Sequence, residues 1–130
     1  MKFISFNHDN SEKFGIIENN LITDLTGKID GASSLKELIK IKKIKEAKEY
    51  AKSNPGSIKP DEIKYSPLIP NPGKIICVGL NYSEHVKETN RTVEENPVIF
   101  HRFPESQTAH MQAIQRPTVS ESLDFEGEMA

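Results

Sequence analysis

The segment Asp124–Ala130 reads DFEGEMA, and the interpretation of the C-terminal part of the chain depends on it. Read as a β-strand, the segment places the carboxylates of Asp124, Glu126 and Glu128 on one face, because successive strand side chains point to opposite faces. Neighbouring negative charges repel one another unless a cation lies among them, and Mg²⁺ and Mn²⁺ prefer such oxygen ligands. The pattern therefore indicates either a divalent metal site or a strand face that is exposed to solvent.

The composition is typical of one ordinary soluble domain, or of one small domain with part of a second. The 130 residues carry a formal net charge of −2, with 28% charged and 35% hydrophobic residues. This balance argues against nucleic acid, or other acidic partners of the lysine-rich segments, as a main ligand. No apolar run reaches the ~20 residues of a membrane span, and the N-terminus lacks the apolar core of a signal peptide. The single cysteine, Cys77, excludes an internal disulfide, so we expect a reducing, cytoplasmic location.

The sequence of residues 1–64 predicts a small α+β domain that begins with three strands. The strands are expected at Lys2–Phe6, Phe14–Glu18 and Leu21–Leu25. A polar turn is expected over residues 7–13, and the pair Asn19–Asn20 predicts a tight two-residue hairpin turn. The hydrophobic pattern therefore favours a β-meander at the start of the chain.

Two helices and a connector should follow the meander. Ser34 and Glu37 have the spacing of a capping box, which predicts the start of a short helix. Apolar residues at helical spacing between Ile41 and Lys52 predict a second helix. The proline-rich stretch Tyr65–Gly73 is then expected to be an extended connector between two domains.

The chain after the connector begins with an apolar run, Lys74–Gly79, which predicts a buried strand. A short helix is expected next, and His85 and Glu88 would share one of its faces because they are three residues apart. A carboxylate that orients an imidazole is a common general-base arrangement. The pair is therefore either a catalytic base or two ordinary surface residues.

A further strand is predicted at Pro97–Pro104, near the middle of the second half of the chain. It carries Arg102, whose guanidinium group is suited to bind an anionic substrate with two parallel hydrogen bonds. A position at the edge of a strand explains the same residue without any ligand. Both interpretations of Arg102 stay open on the sequence pattern alone.

Five blocks of sequence, in this order and with these gaps, resemble the fumarylacetoacetate hydrolase family. They are Ile76–Tyr82, His85 with Glu88, Pro97–Phe100, Phe103–Gln107 and Asp124–Glu128. The resemblance is close over about residues 65–130, and residues 1–64 are similar in layout to the small N-terminal domain of many members. It implies an α+β fold in which a small N-terminal domain (1–64) and a connector (65–73) precede the opening strands of a mixed β-roll catalytic domain (74–130).

The resemblance also implies roles for individual residues. Glu126 and Glu128 match the Glu-x-Glu pair that holds Mg²⁺ or Mn²⁺ in the family, and a later aspartate is expected to complete that site. His85 and Glu88 match the dyad that activates water in many members. The residues expected to bind the substrate are Asn81, Tyr82, Arg102 and Ser106.

Two features depart from the family pattern. Members usually have a glycine-containing turn after the Phe-Pro-x-Ser block, whereas this chain has Thr108–Met111, and alanine and methionine adopt positive φ angles poorly. The family's catalytic domain also continues well past the position of Ala130. We therefore expect a truncated domain whose third metal ligand lies beyond that position.

The resulting hypothesis is a metal-dependent enzyme of the hydrolase or lyase type. The resemblance implies a small 2-oxo acid or 1,3-dicarbonyl acid as substrate (acylpyruvate-like), a metal-stabilised enolate and cleavage of a C–C bond. Decarboxylation, isomerisation and hydration also occur among members, and homodimers are common, so self-association is expected. The alternative is a truncated, catalytically inactive binding or interaction module of the same fold.

Overall fold

The polypeptide forms two units, each of which contains an antiparallel sheet. The computed structural model describes residues 1–80, 82 and 96–124. Met1–Asn71 and Thr108–Ala113 make up the first unit, and the described part of the second lies within Pro72–Gln107 and residues 114–124. The mixture of short strands and short helices agrees with the predicted α+β class.

Four strands form the sheet of the first unit, in the order β3-β2-β1-β4. Their bounds are Lys2–His8 for β1, Ser11–Glu18 for β2, Leu21–Asp24 for β3 and Lys64–Ser66 for β4. The two-residue turns Asp9–Asn10 and Asn19–Asn20 join the first three strands, and their φ angles lie between 51° and 61°. Asparagine and aspartate tolerate this left-handed conformation, which type I′ hairpin turns require.

Two helices, α1 (Leu35–Lys40) and α2 (Ile44–Ser53), follow the meander. The Ser34 hydroxyl caps α1 by accepting a hydrogen bond from the Glu37 backbone N–H at 3.3 Å. The Glu37 carboxylate accepts hydrogen bonds from the backbone N–H and the hydroxyl of Ser33, at 2.8 and 2.5 Å. The predicted capping box is therefore half formed, because Glu37 contacts the residue before the cap.

The core of the first unit lies between the sheet and the helices. The register of β1 and β2 sets Ile16 opposite Phe3 and Phe14 opposite Ser5, so these residues share one face of the sheet. Phe14 and Ile16 pack with buried residues of the loop and helices, namely Leu25, Ile29, Ala32, Leu35, Leu38, Ala47 and Ala51. Full burial of one large apolar side chain stabilises a fold by about 1.5–3 kcal/mol, so this cluster is the main stabilising feature of the first unit.

The second unit contains a two-stranded antiparallel sheet of β5 (Ile75–Gly79) and β6 (Val98–Arg102). Cys77 is opposite Phe100 in the register and is only 3% exposed. Ile76 and Ile99 are on the other face and are 55% and 57% exposed. The predicted strand is present, but Cys77 alone among the residues of β5 is fully buried, so the expectation of a buried strand holds only in part.

The structure also differs from the sequence interpretation at two places in the first unit. The turn expected over residues 7–13 consists only of Asp9–Asn10, because β1 and β2 continue on both sides of it. The connector expected from Tyr65 begins later, because Tyr65 pairs with Phe6 at the sheet edge. Pro67 follows the last paired residue of β4, and the sheet therefore accommodates the proline-rich stretch without losing a hydrogen bond.

Two predictions fall largely outside the part of the chain that the structure describes. They are the helix with His85 and Glu88, and the acidic strand Asp124–Ala130, of which Asp124 alone is described and lies outside any strand. Both remain predictions. In the described ranges, no helix has the length and apolar character needed to cross a membrane.

The opposite face of the sheet carries an ion pair between β2 and the end of β3. Lys13 Nζ donates a hydrogen bond of 2.8 Å to the Asp24 carboxylate, and both side chains are about three-quarters buried. Burial on its own raises the pKa of Asp24. The hydrogen bonds from Lys13 and from the Thr26 backbone N–H at 2.8 Å outweigh it, so the pKa of Asp24 lies below its ordinary value of 3.8.

We expect this carboxylate to make folding depend on pH in the acid range. A carboxyl group whose pKa is lowered by folding stabilises the protein fully above its unfolded value near 3.8, and this stabilisation is lost as the pH falls through the lower folded value. Asp24→Asn should lower the free energy of unfolding at pH 7 by about 1–2 kcal/mol and flatten its decline below pH 3.8. Urea unfolding at a series of pH values measures both effects.

Glu49→Gln is the matched control, because Glu49 forms an exposed pair with Lys45 at 3.9 Å and such pairs contribute little. It should retain both the stability and the acid profile of the wild type. An Asp24→Asn variant with the wild-type acid profile would show that the lowered pKa has no effect on folding.

Gly15 is expected to tolerate no side chain. A Cβ atom on Gly15 would lie 2.3 Å from the Thr23 carbonyl oxygen and 3.3 Å from the Phe6 ring. Because Thr23 O belongs to the backbone of β3, Gly15→Ala has to shift the strand, and we expect it to lower the free energy of unfolding by about 3 kcal/mol. Gly27→Ala is the control: its φ angle is +69° and no atom lies within 4 Å, so only backbone strain of about 1 kcal/mol is added. Equal losses in the two variants would contradict the predicted clash.

Candidate functional site

The eight residues predicted to form the site divide into two groups. The structure describes Tyr82, Arg102 and Ser106. The others lie outside the described residues, namely Asn81, His85, Glu88, Glu126 and Glu128. The catalytic and metal-binding roles therefore stay predictions, and the geometry concerns the residues expected to contact the substrate.

Arg102 is the last residue of β6, and the sheet register sets it opposite Ile75. Because side chains alternate along a strand, Arg102 shares its face of the sheet with Phe100 and Cys77. The residue is exposed overall. The binding of a substrate carboxylate by Arg102 stays a prediction.

Ser106 closes a single 3₁₀ turn, Pro104–Ser106, directly after β6. Its backbone N–H and its hydroxyl both donate to the Phe103 carbonyl, at 3.0 and 2.7 Å. The side chain of Gln107 likewise donates to the Pro104 carbonyl, at 3.2 Å. Since the hydroxyl proton of Ser106 is engaged within the turn, this side chain has only acceptor lone pairs to offer a substrate.

Tyr82 follows the end of β5 and is 52% exposed. Between them, Leu80 has a φ angle of 54°, a conformation that is uncommon for a bulky residue and marks a sharp change of chain direction. Glycine is the residue type expected at a positive φ angle, but Gly79 remains in the strand. A Cβ atom on Gly79 would lie 3.2 Å from the Phe100 ring. Sequence reasoning therefore missed Leu80, and hydrophobicity gave no signal of its conformation.

The segment after the Phe-Pro-x-Ser block also forms a tight turn. The Gln112 N–H donates to the Ala109 carbonyl at 3.1 Å, and Met111, at the third position, has a φ angle of 61°. Glycine is the usual residue where a turn needs positive φ, and methionine fills that role here. The absence of glycine, which put this loop in question, has therefore not abolished the turn.

This turn clusters with the first unit, although the sequence assigned it to the domain of residues 74–130. The side-chain amide of Gln112 donates to the Tyr65 carbonyl at 2.8 Å. The rings of Tyr65 and His110 meet edge to face with centroids 5.0 Å apart. These two contacts attach residues 108–113 to β4.

The described residues contain no group of three His, Cys, Asp or Glu side chains that could hold a metal ion. Of the acidic segment, only Asp124 is among them. The chemistry of the predicted donors nevertheless fits the predicted ion, because two carboxylates supply the oxygen ligands that Mg²⁺ and Mn²⁺ prefer. The metal site at Glu126 and Glu128 stays a prediction.

A family model described as the C-terminal domain of fumarylacetoacetate (FAA) hydrolase matches residues 74–130. A mitochondrial oxaloacetate tautomerase of Rattus norvegicus is 39% identical over 69 residues, which cover 53% of this chain and 22% of that protein. An uncharacterized protein of Methanocaldococcus jannaschii is 44% identical over 59 residues, which cover 45% of this chain and 25% of that protein. The matched part thus spans about a quarter of the length of these relatives.

A solved structure resembles nearly the whole chain. The crystal structure described as an HpcE protein from Mycobacterium smegmatis covers 90% of this chain and 41% of its own, with a TM-score of 0.63 and 21% sequence identity. At this identity the likeness concerns the fold. It supports the predicted arrangement of a small α+β domain followed by strands of a second domain.

Met111→Gly should stabilise the protein by about 0.5–1 kcal/mol, because glycine adopts φ = 61° without the steric cost that a Cβ imposes. Little packing is lost, since Met111 is 86% exposed. Met111→Ala is the control: it removes the same exposed side chain but keeps the Cβ, so it should leave the free energy of unfolding unchanged. Equal gains for alanine and glycine in thermal unfolding would contradict the conformational explanation.

Proposed function

We propose that this chain, which belongs to the fumarylacetoacetate hydrolase family through residues 74–130, supplies part of an enzyme that acts on a small 2-oxo acid or 1,3-dicarbonyl acid through an enolate. The observation that carries the proposal is the match of these residues to the family, together with a 39% identical relative named as an oxaloacetate tautomerase. Compounds of this class have an acidic C–H bond next to a carbonyl group. The shared intermediate is therefore an enolate, which forms when a proton is removed from carbon or when a C–C bond next to the carbonyl group breaks.

The general base in this proposal is His85, oriented by Glu88. The two residues are separated by three positions in the sequence, which places them on one face if the segment is helical. A carboxylate beside an imidazole fixes the ring and favours its protonated form once the proton has been accepted. His85 would take the proton from the substrate carbon, or from a water molecule aimed at the carbonyl carbon.

Arg102 would bind the carboxylate of the substrate, and three further residues would complete the binding site: Asn81, Tyr82 and Ser106. The exposed position of Arg102 at the end of β6 supports this role. Ser106 would accept a hydrogen bond from the substrate, because its own proton is donated to Phe103. The expected substrate is thus an acid that also has a hydroxyl or enol group able to donate.

Glu126 and Glu128 would hold Mg²⁺ or Mn²⁺ as oxygen donors. A divalent cation at this position supplies Lewis acidity, which stabilises negative charge that develops on the substrate oxygens. The two carboxylates would also bring negative charge to the site, which a bound divalent cation would offset. Metal dependence is accordingly part of the proposal.

Two reactions can pass through an enolate, and each has its own support. In keto–enol tautomerisation the proton leaves carbon and a proton is added to oxygen, with no bond cleaved between carbons; the name of the rat relative favours this reaction. In C–C hydrolysis water loses a proton to the base and adds to a carbonyl carbon, the neighbouring C–C bond breaks, and its electron pair leaves as an enolate that takes up a proton on carbon; the family name favours this one. We propose tautomerisation first, because a relative that is 39% identical over 69 residues is named for that reaction, whereas hydrolysis is supported only by the name of the family.

Oligomeric state and location are further parts of the proposal. We propose a homodimer, as the family resemblance implies, in the cytoplasm, as the single cysteine suggests. The rat relative is named as mitochondrial, which makes fractionation of cells the direct measurement of location.

The proposal is tested by measuring metal binding and turnover on the same variants. Calorimetric titration with Mn²⁺ measures binding, and absorbance of the oxaloacetate enol together with release of cleavage products from an acylpyruvate measures turnover. Glu126→Gln should weaken Mn²⁺ binding by at least about tenfold, because it removes one anionic ligand. His85→Ala should retain Mn²⁺ affinity and lose turnover by about 10²-fold or more.

Glu121→Gln is the matched control, since Glu121 is an exposed carboxylate close in sequence to the predicted ligands. It should behave like the wild type in both assays. Unchanged Mn²⁺ affinity in Glu126→Gln would overturn the ligand assignment, and full activity in His85→Ala would make the dyad a surface pair. A folded wild-type chain that turns over neither substrate would favour the inactive binding module instead.

A further inference from the structure

The first unit contains an open cleft of about 420 Å³ next to β1. Within the described structure, β2 pairs with β1 along Lys2–His8, whereas β4 pairs with it only at residues 5–7. The pairing of β4 ends at Ser66, so that among the described residues Lys2–Ile4 have no paired strand on that side. The cleft is the gap that results, and its volume falls in the range of small-molecule sites.

The walls of the cleft are held in place by specific contacts. The Ser5 hydroxyl donates to the Leu68 carbonyl at 2.7 Å and so fixes the segment after β4. The edge-to-face contact of His110 with Tyr65 and the hydrogen bond of Gln112 to Tyr65 fix the turn of residues 108–113 on the other side. Four separate segments therefore border the cleft within one unit: β1, Ile17 of β2, residues 65–68 and residues 108–110.

The lining of the cleft contains a lysine and no acidic residue. Lys2 and His110 line the cleft, and its lining residues include no aspartate or glutamate. The nearby carboxylate of Glu18 accepts a hydrogen bond from the N-terminal amino group of Met1 at 3.4 Å. Lys2 has no ion pair among the residues that the structure describes, so its ammonium group is available to an anion.

The remaining surface is largely apolar. It consists of the side chains of Phe3, Ile4, Ile17, Pro67 and Leu68, with the Tyr65 ring at one end. An apolar surface beside an unpaired cation is complementary to a molecule that has a hydrocarbon body and one carboxylate. A neutral molecule of the same shape would lack the charge interaction with Lys2.

We propose that this cleft binds a small free organic acid with an apolar or aromatic body and a single carboxylate. The carboxylate would lie near Lys2 and His110, and the body would lie against Ile4, Ile17 and Leu68. The inference is independent of the proposed enzyme, because all the lining residues belong to the first unit and none is among the predicted catalytic or metal-binding residues.

The test uses benzoate as the probe and benzamide as its neutral counterpart of nearly the same shape, both titrated into the full chain. Backbone amide shifts are followed by ¹H–¹⁵N NMR. Benzoate should bind saturably with a Kd on the order of 1 mM, as befits so small a ligand. The shifted amides should be those of residues 2–4 and 108–110, and benzamide should bind about fivefold more weakly.

Lys2→Gln and Lys48→Gln separate the proposed contact from general charge effects. Both lysines are exposed and both variants lower the net charge equally, but Lys48 is not a lining residue. Lys2→Gln should weaken benzoate binding about fivefold and leave benzamide binding unchanged, whereas Lys48→Gln should match the wild type. The proposal is overturned by equal binding of benzoate and benzamide, by wild-type benzoate affinity in Lys2→Gln, by shifts confined to other residues, or by no saturation at about 20 mM.

Discussion

The pairing of β1 with β2 is the constraint on which the first unit depends. It aligns Phe3 with Ile16 and Ser5 with Phe14, so that one sheet face receives the large apolar side chains that the helices cover. A shift of one residue would turn those side chains towards the opposite face, because strand side chains alternate. The two-residue turn at Asp9–Asn10 fixes this register from one end. The backbone of β3 lies so close to Gly15 that no side chain fits at this position of β2.

Sequence reasoning succeeded where a local pattern determines a local structure. The pair Asn19–Asn20 predicts a turn because both residues tolerate positive φ, and the structure has φ angles of 51° and 61° there. The helix start at Ser34 is recovered for the same reason, since a side-chain oxygen satisfies a backbone N–H. The turn at Asp9–Asn10 has the same chemistry, but the sequence predicts a longer polar turn there, because the strand residues on both sides of it are also polar.

The failures have a different physical origin, because they concern contacts between residues that are distant in the chain. The pairing of Tyr65 with Phe6 places the start of the proline-rich stretch in the sheet, and no local pattern shows that β1 has an open edge there. The same contact explains why residues 108–113 cluster with the first unit, since Gln112 and His110 attach to Tyr65. The left-handed conformation of Leu80 and Met111 was not predictable either, because leucine and methionine rarely adopt positive φ angles.

The block Phe103–Gln107 shows how much of a family signature the fold itself requires. Proline opens the 3₁₀ turn because its φ angle is already suitable, and the side chains of Ser106 and Gln107 satisfy the carbonyl groups of Phe103 and Pro104. Each of these residue types is explained by the turn, without any contact to a substrate. The identity of Ser106 is therefore explained by the turn itself, because its hydroxyl and its backbone N–H both donate to the Phe103 carbonyl before any substrate is considered.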